Sequence, residues 1–229
     1  MLSKLAKTIK NGFRGLGKKG YTLIEVAAVV AVTATLTAVV VPVAMDKIDE
    51  GKKSAARQDC QMIAAAIAGF YKDTGKWPAY SAATEDHFSV LRSGNDGGTP
   101  LVDTPTSANH DPKNALANFG GGPVDWLENQ LVVDGPGSGT CGSQNNKYLV
   151  THSLNWKGPY AETFTKRDPW GNNYLVLVYG MHTPTTGTNK HYGWIVSAGP
   201  NATLETDRRD NILGGDDIGF YMHAEEIGH

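Results

Sequence analysis

Two groups of acidic residues stand where a carboxylate needs a physical reason. Glu25 is the one charged residue in the apolar stretch 21–45. A lone carboxylate at membrane depth costs about 2.5–3.5 kcal/mol on insertion scales, so its presence calls for a compensating positive charge. The second group is Asp207, Asp210, Asp216 and Asp217, with Glu205 and Asn201 close by in sequence. Oxygen-only donors on one loop are what Ca²⁺ takes, roughly six to eight at a time with backbone carbonyls included. The spacing is not that of an EF-hand. A solvated acidic loop paired with Arg208 and Arg209 is the plainer alternative. The thiols offer less. Cys60 and Cys141 make no Cys-x-x-Cys pair, and the seven histidines are scattered, so no zinc site is expected. The two cysteines can close one disulfide if the folded part lies in an oxidising compartment. Cys60 fits equally well as a buried thiol on a helix face. No nucleophile elbow, His-Glu-x-x-His or phosphate-binding loop is present, so the chain is not expected to be an enzyme.

The elements that must position these residues follow from charge and hydropathy. Net charge is −2, which gives no electrostatic reason to seek nucleic acid. Residues 1–20 hold Lys4, Lys7, Lys10, Arg14, Lys18 and Lys19 and no acid. A basic head before an apolar run is a membrane-targeting pattern, with the head in the cytoplasm and everything after Asp46 on the far side. Residues 26–45 carry no charge and span ~30 Å as a helix, the thickness of a bilayer core. A cleaved secretory signal has no use for a glutamate in its apolar core. Beyond the membrane, Met45, Ile48, Ala56, Cys60, Ile63, Ile67 and Phe70 or Tyr71 recur at helical spacing. Asp73-Thr74-Gly75, then Pro78, is a stop signal. One helix is therefore expected from about residue 21 to 74, half in the membrane and half lying on a domain. Residues 77–153 are repeatedly punctuated by glycine and read as a loop-rich, displayed insertion. Residues 154–229 read as a small antiparallel sheet, with strands at 174–179 and 192–197, a turn at 184–189 and a short third strand at 219–223. The apolar stripe of the helix is expected to cover it.

Lys18-Lys19-Gly20-Tyr21-Thr22-Leu23-Ile24-Glu25-Val26 resembles the prepilin cleavage motif of type IV pilins and type II secretion pseudopilins. The resemblance implies a cut by prepilin peptidase between Gly20 and Tyr21 and methylation of the new amine. It also implies that Glu25 neutralises the amine of a neighbouring subunit in an apolar filament core, where a paired buried charge is tolerable and a lone one is not. Pro42 lies where that family places a helix-bending proline. The family's first mature residue is usually Phe, and Tyr21 keeps the aromatic character. Further on, Asp73-Thr74-Gly75-Lys76-Trp77-Pro78, Trp156-Lys157-Gly158-Pro159-Tyr160, Asp168-Pro169-Trp170-Gly171-Asn172, Ser197-Ala198-Gly199-Pro200-Asn201 and Asp216-Asp217-Ile218 look like the landmarks of the major pseudopilin. The resemblance covers residues 17–78 and 155–218 and leaves out the long insertion.

The implied fold is α+β and type IV pilin-like: a leader at 1–20, a membrane or filament-core helix at 21–45, its amphipathic half at 46–76, the insertion at 77–153 and the sheet with its acidic loop at 154–229. The implied role is a subunit of a helical homopolymer for protein secretion. Its partners would be its own copies, the prepilin peptidase, the inner-membrane assembly platform, the minor pseudopilins and the inner membrane, with the folded part in the periplasm. A type IV pilin of a surface fibre for adhesion, motility or DNA uptake is the alternative, and the glycine-rich insertion favours it. In major pseudopilins the acidic loop binds one calcium. Asp216 and Asp217 match its later acidic pair, Asn201 stands in place of an earlier aspartate, and Asp207 or Asp210 can restore the missing charge.

Overall fold

The computed structural model describes residues 20–80, 88–94, 101, 103–105, 110–119, 122–137, 147–148, 156–182 and 192–222. Helix α1, Leu23–Thr74, is 52 residues long. It ends as its sequence predicts. Gly75 takes a left-handed conformation at φ 69°, and its N–H closes onto the Tyr71 carbonyl at 2.7 Å, a helix-ending bond that glycine makes without steric cost. The Thr74 hydroxyl donates to the Phe70 carbonyl at 2.8 Å. The buried residues of α1 are Ala56, Cys60, Ile63, Ala64, Ala66, Ile67, Phe70 and Thr74. Met45 and Ile48, expected at the start of this stripe, are 61% and 58% exposed. The stripe that packs begins at Ala56.

The folded part divides from the N-terminal part, with residues 1–49 and 50–229 forming separate compact units. In the second unit a five-stranded sheet runs in the order β2-β1-β3-β4-β5. Its strands are β1 Val90–Arg92, β2 Val124–Trp126, β3 Leu175–Leu177, β4 Gly193–Ser197 and β5 Ile218–Met222. The pairs β1–β3, β3–β4 and β4–β5 are antiparallel, and β1–β2 is parallel. Short helices α2 Ala115–Phe119, α3 Leu127–Leu131 and α4 Tyr179–His182 lie between strands. The expected strands in the last third are all present. The expected turn at 184–189 lies outside the described residues, as does His223.

The sheet is covered on both faces, which the sequence reading did not foresee. Leu91, Val176, Val178, Ile195 and Met222 join Cys60, Ile63, Ile67 and Phe70 of α1 in one core cluster. The alternating residues Val90, Leu175, Leu177, Trp194 and Val196 join Leu101, Ala115, Phe119 and Leu204 in a second. Side chains on a strand alternate faces, so unbroken apolar strands such as β3 and β4 require two covers. The first is α1. Part of the second comes from the segment 77–153, expected to be displayed, which also supplies β1 and β2. Within that segment a buried ion pair ties Arg92 of β1 to Asp111 at 2.5 Å. The Arg92 guanidinium lies 4.2 Å above the Trp126 ring, and Asp111 also accepts from Asn173 Nδ2 at 3.3 Å. Breaking such a buried pair on one side is costly because the other charge is stranded.

Candidate functional site

At the N-terminal end, Gly20 has nothing within 4 Å of the place a Cβ would take, and Tyr21 is 86% exposed. The chain enters α1 through a reciprocal cap. Glu25 Oε2 accepts from both the N–H and the hydroxyl of Thr22 at 2.8 Å, and the Thr22 hydroxyl accepts from the Glu25 N–H at 3.3 Å. This is a capping box, in which the first helical donors are satisfied before the helix begins. Thr22 was not singled out from the sequence, although Thr-x-x-Glu before an apolar run is its signature. Around it Leu23, Ile24, Val29, Val30, Val39 and Val40 are all exposed. The threonine hydroxyls in this run hide their polarity by donating back to helix carbonyls, Thr33 to Val29 at 2.9 Å and Thr37 to Thr33 at 2.8 Å. Pro42 lies inside α1. By length and composition this helix suffices to cross a membrane.

The acidic loop brings together a different set from the one its sequence suggests. Glu205, Asp216 and Asp217 each place a carboxylate oxygen within 4.8 Å of the others. Asp217 Oδ2 accepts from the backbone N–H groups of Glu205 at 2.9 Å and Thr206 at 2.6 Å. Glu205 Oε2 accepts from Asp216 N–H at 2.9 Å, and Asp216 Oδ2 accepts from Asn201 N–H at 3.2 Å. Asp216 Oδ1 and Asp217 Oδ1 are buried and meet no donor among the described residues. Burial pushes the Asp217 carboxyl above the usual aspartate range. Two glycines leave room for this arrangement. A Cβ on Gly215 would fall 1.3 Å from Glu205 Oε2, and one on Gly199 would fall 2.4 Å from the Asp216 carbonyl oxygen.

The other expected ligands lie elsewhere. Asp207 and Asp210 build their own turn, with Asp207 N–H donating to Asp210 Oδ2 and Arg209 N–H to Asp207 Oδ1, both at 2.9 Å. Asn201 turns its side-chain oxygen onto Thr203 N–H at 2.6 Å, and so borders the acid group through its backbone. No ion pair joins Arg208 or Arg209 to the three acids among the described residues. Among the described residues the acid that lies beside Asp216 and Asp217 is therefore Glu205. Cys60 is a free, fully buried thiol that donates to the Ile218 carbonyl at 3.8 Å. Its expected partner Cys141 lies outside the described residues.

The chain is 35% identical over 68 residues to "Type II secretion system core protein G" of Pseudomonas aeruginosa, a match covering 30% of this chain and 48% of the relative. The matched stretch thus spans about half of that curated relative's length. No protein-family model matches the chain, and no solved structure matches it. A long apolar N-terminal helix followed by a small mixed sheet fits a pilin-like arrangement, and over the matched stretch the chain is similar to a type II secretion core protein.

Proposed function

We propose that the chain is a structural subunit, cleaved between Gly20 and Tyr21 by prepilin peptidase and assembled into a pseudopilus-like helical filament that serves protein secretion. The observation that carries this reading is Glu25 on the N-terminal part of α1, where every large apolar residue from Tyr21 to Ile48 is exposed. A bilayer can cover that surface, but it cannot neutralise the carboxylate. A filament core of neighbouring copies does both, because the free amine of a cleaved Tyr21 supplies the opposite charge. Until then the Thr22 cap holds the Glu25 charge within its own subunit. Glu25→Ala is expected to leave processing intact and to abolish filaments seen by electron microscopy; normal filaments would refute the pairing. Gly20→Val is expected to leave an uncleaved precursor in the membrane fraction.

The acidic loop supports a second part of this reading, a single Ca²⁺ held by Glu205, Asp216 and Asp217. The buried, donor-free Oδ1 atoms of Asp216 and Asp217 fit a hard cation, which takes oxygen ligands only. When bound, the ion cancels the mutual repulsion of three carboxylates. A ligand that binds only the folded state stabilises it by ~2.7 kcal/mol at a hundredfold excess over its dissociation constant. Calcium is expected to raise the melting temperature relative to chelator, magnesium much less, and Asp216→Ala or Asp217→Ala is expected to remove the increment. Coincident melting curves with calcium and with chelator would eliminate the metal.

A further inference from the structure

The strand-like stretch that carries Glu205 is held from one side by the inserted segment 110–119. Lys113 N–H donates to the Ala202 carbonyl at 2.9 Å, and Leu204 N–H donates to the Lys113 carbonyl at 2.8 Å. Together they form an isolated parallel bridge between Lys113 and Thr203. Asn118 Nδ2 donates to the Leu204 carbonyl at 2.6 Å, and the Asn118 carbonyl accepts from Arg208 N–H at 3.3 Å. The inserted segment thus grips the backbone on both sides of Glu205.

Side chains along this stretch alternate as in a strand. Leu204 and Thr206 are fully buried and Glu205 between them is exposed, which aims Glu205 outward toward Asp216 and Asp217. Leu204 packs with Ala115 and Phe119 of α2 in the second core cluster. The described non-glycine residues with positive φ are His110 at 52°, Asn114 at 65° and Ala202 at 56°. All three flank this seam. Such conformations persist only where the surroundings enforce them.

We infer that segment 110–119 is a clamp on the cation loop, with Asn118 positioning Glu205 as the third acid of the site, and that the bound cation in turn locks the segment onto the sheet. The inference rests on the calcium reading above. Asp217 is 7% exposed and its Oδ1 finds no donor among the described residues, so the acid group lacks a positive partner that the cation supplies. Without it, repulsion drives Glu205 outward, and Glu205 is chained directly to Leu204 and Thr206. Coupling between two sites is reciprocal. Whatever factor the clamp adds to cation affinity, the cation adds to clamp closure.

The test uses the full chain in detergent micelles. Hydrogen exchange is read by mass spectrometry in calcium chloride and in chelator, and calcium is titrated calorimetrically into the wild type, Glu205→Gln and Asn118→Ala. Calcium is expected to slow exchange across 110–119 as well as across 201–217. Glu205→Gln is expected to lose most of the binding, and Asn118→Ala to weaken it about tenfold, as removal of a residue that orients a ligand does. A merely structural Asn118 would lower the melting temperature equally with calcium and with chelator, whereas a positioning residue shrinks the difference between the two. Protection confined to 201–217, with unchanged affinity in Asn118→Ala, overturns the clamp and leaves the calcium reading standing. No heat on titrating calcium into the wild type overturns both. If Asn118→Ala fails to fold, exchange at 110–119 in the wild type decides alone.

Discussion

Asp168 organises the turn Asp168-Pro169-Trp170-Gly171-Asn172 with one carboxylate. Its Oδ1 accepts from the N–H groups of Trp170 at 3.0 Å and Asn172 at 2.8 Å, and its Oδ2 accepts from the Ser197 hydroxyl at 2.6 Å, tying the turn to β4. The Trp170 ring in this turn is only partly buried. Burial pushes the Asp168 carboxyl above the usual range, against the opposing pull of these donors. The folded chain therefore holds this proton more tightly than the unfolded chain, and stability from this group falls as pH rises through the carboxylate range to the raised value. The substitution Asp168→Asn keeps an acceptor for the two N–H groups, offers the Ser197 hydroxyl a donor and leaves no charge to desolvate. It is thus expected to gain melting temperature on the wild type as pH rises through the usual carboxylate range and beyond it. A difference that does not change with pH would contradict this. Burial, then the charges of Asp59 and Asp168, push the Cys60 thiol up to about 12, so in the folded chain it should resist alkylation at neutral pH. Cys60 is expected to label only after denaturation; labelling that also needs a reductant would reveal a bond to Cys141. Glu25, Asp216 and Asp217 stand out in the sequence because an acid in an apolar run, or an acidic pair, is conspicuous in one dimension. That Glu205 belongs with them is not visible in the sequence, because only the fold brings residue 205 back beside residue 216.

Among the elements, α1 was readable almost to its ends, because helical periodicity and capping are local signals. Strands β3, β4 and β5 were readable because runs of aromatic and β-branched residues bounded by glycine have few other interpretations. Strands β1 and β2 were missed for a physical reason. Each is three residues long, and their parallel pairing joins segments about thirty residues apart, so no local pattern marks them. Glycine clusters around them drew the reading toward a displayed loop. The structure makes a quantitative distinction between the two readings. Phe119 is 1% exposed and packs in the second core cluster, so Phe119→Ala is expected to destabilise the protein by about 3–5 kcal/mol, as core phenylalanine truncations do. Chemical denaturation measures this directly. A loss below about 1 kcal/mol, the scale of surface substitutions, would return the insertion to the status of a displayed loop.

At the scale of the whole molecule, burial among the described residues is confined to one of the two units. The buried hydrophobic residues begin at Ala56 and continue to Met222, while the large apolar residues from Tyr21 to Ile48 are exposed. The boundary between compact units falls at Asp49. The function proposed above would take the subunit from a bilayer into a filament, which changes the surroundings of its apolar helix completely. Its folded domain must keep its stability through that exchange, so that stability cannot depend on what covers the helix. The structure fits this requirement, because among the described residues neither core cluster uses one before Cys60. The chain truncated before Glu50 is therefore expected to be soluble without detergent, to elute as a monomer and to unfold cooperatively. The full chain, with its apolar half uncovered, is expected to need detergent or to associate. Removing the segment should also leave the calcium-dependent increment unchanged, since Glu205, Asp216 and Asp217 all lie in the retained unit. Circular dichroism and size-exclusion chromatography of the truncated chain decide the matter. An unfolded or aggregated product would mean that the first forty-nine residues contribute to the core after all, and that anchoring and folding are a single event in this protein.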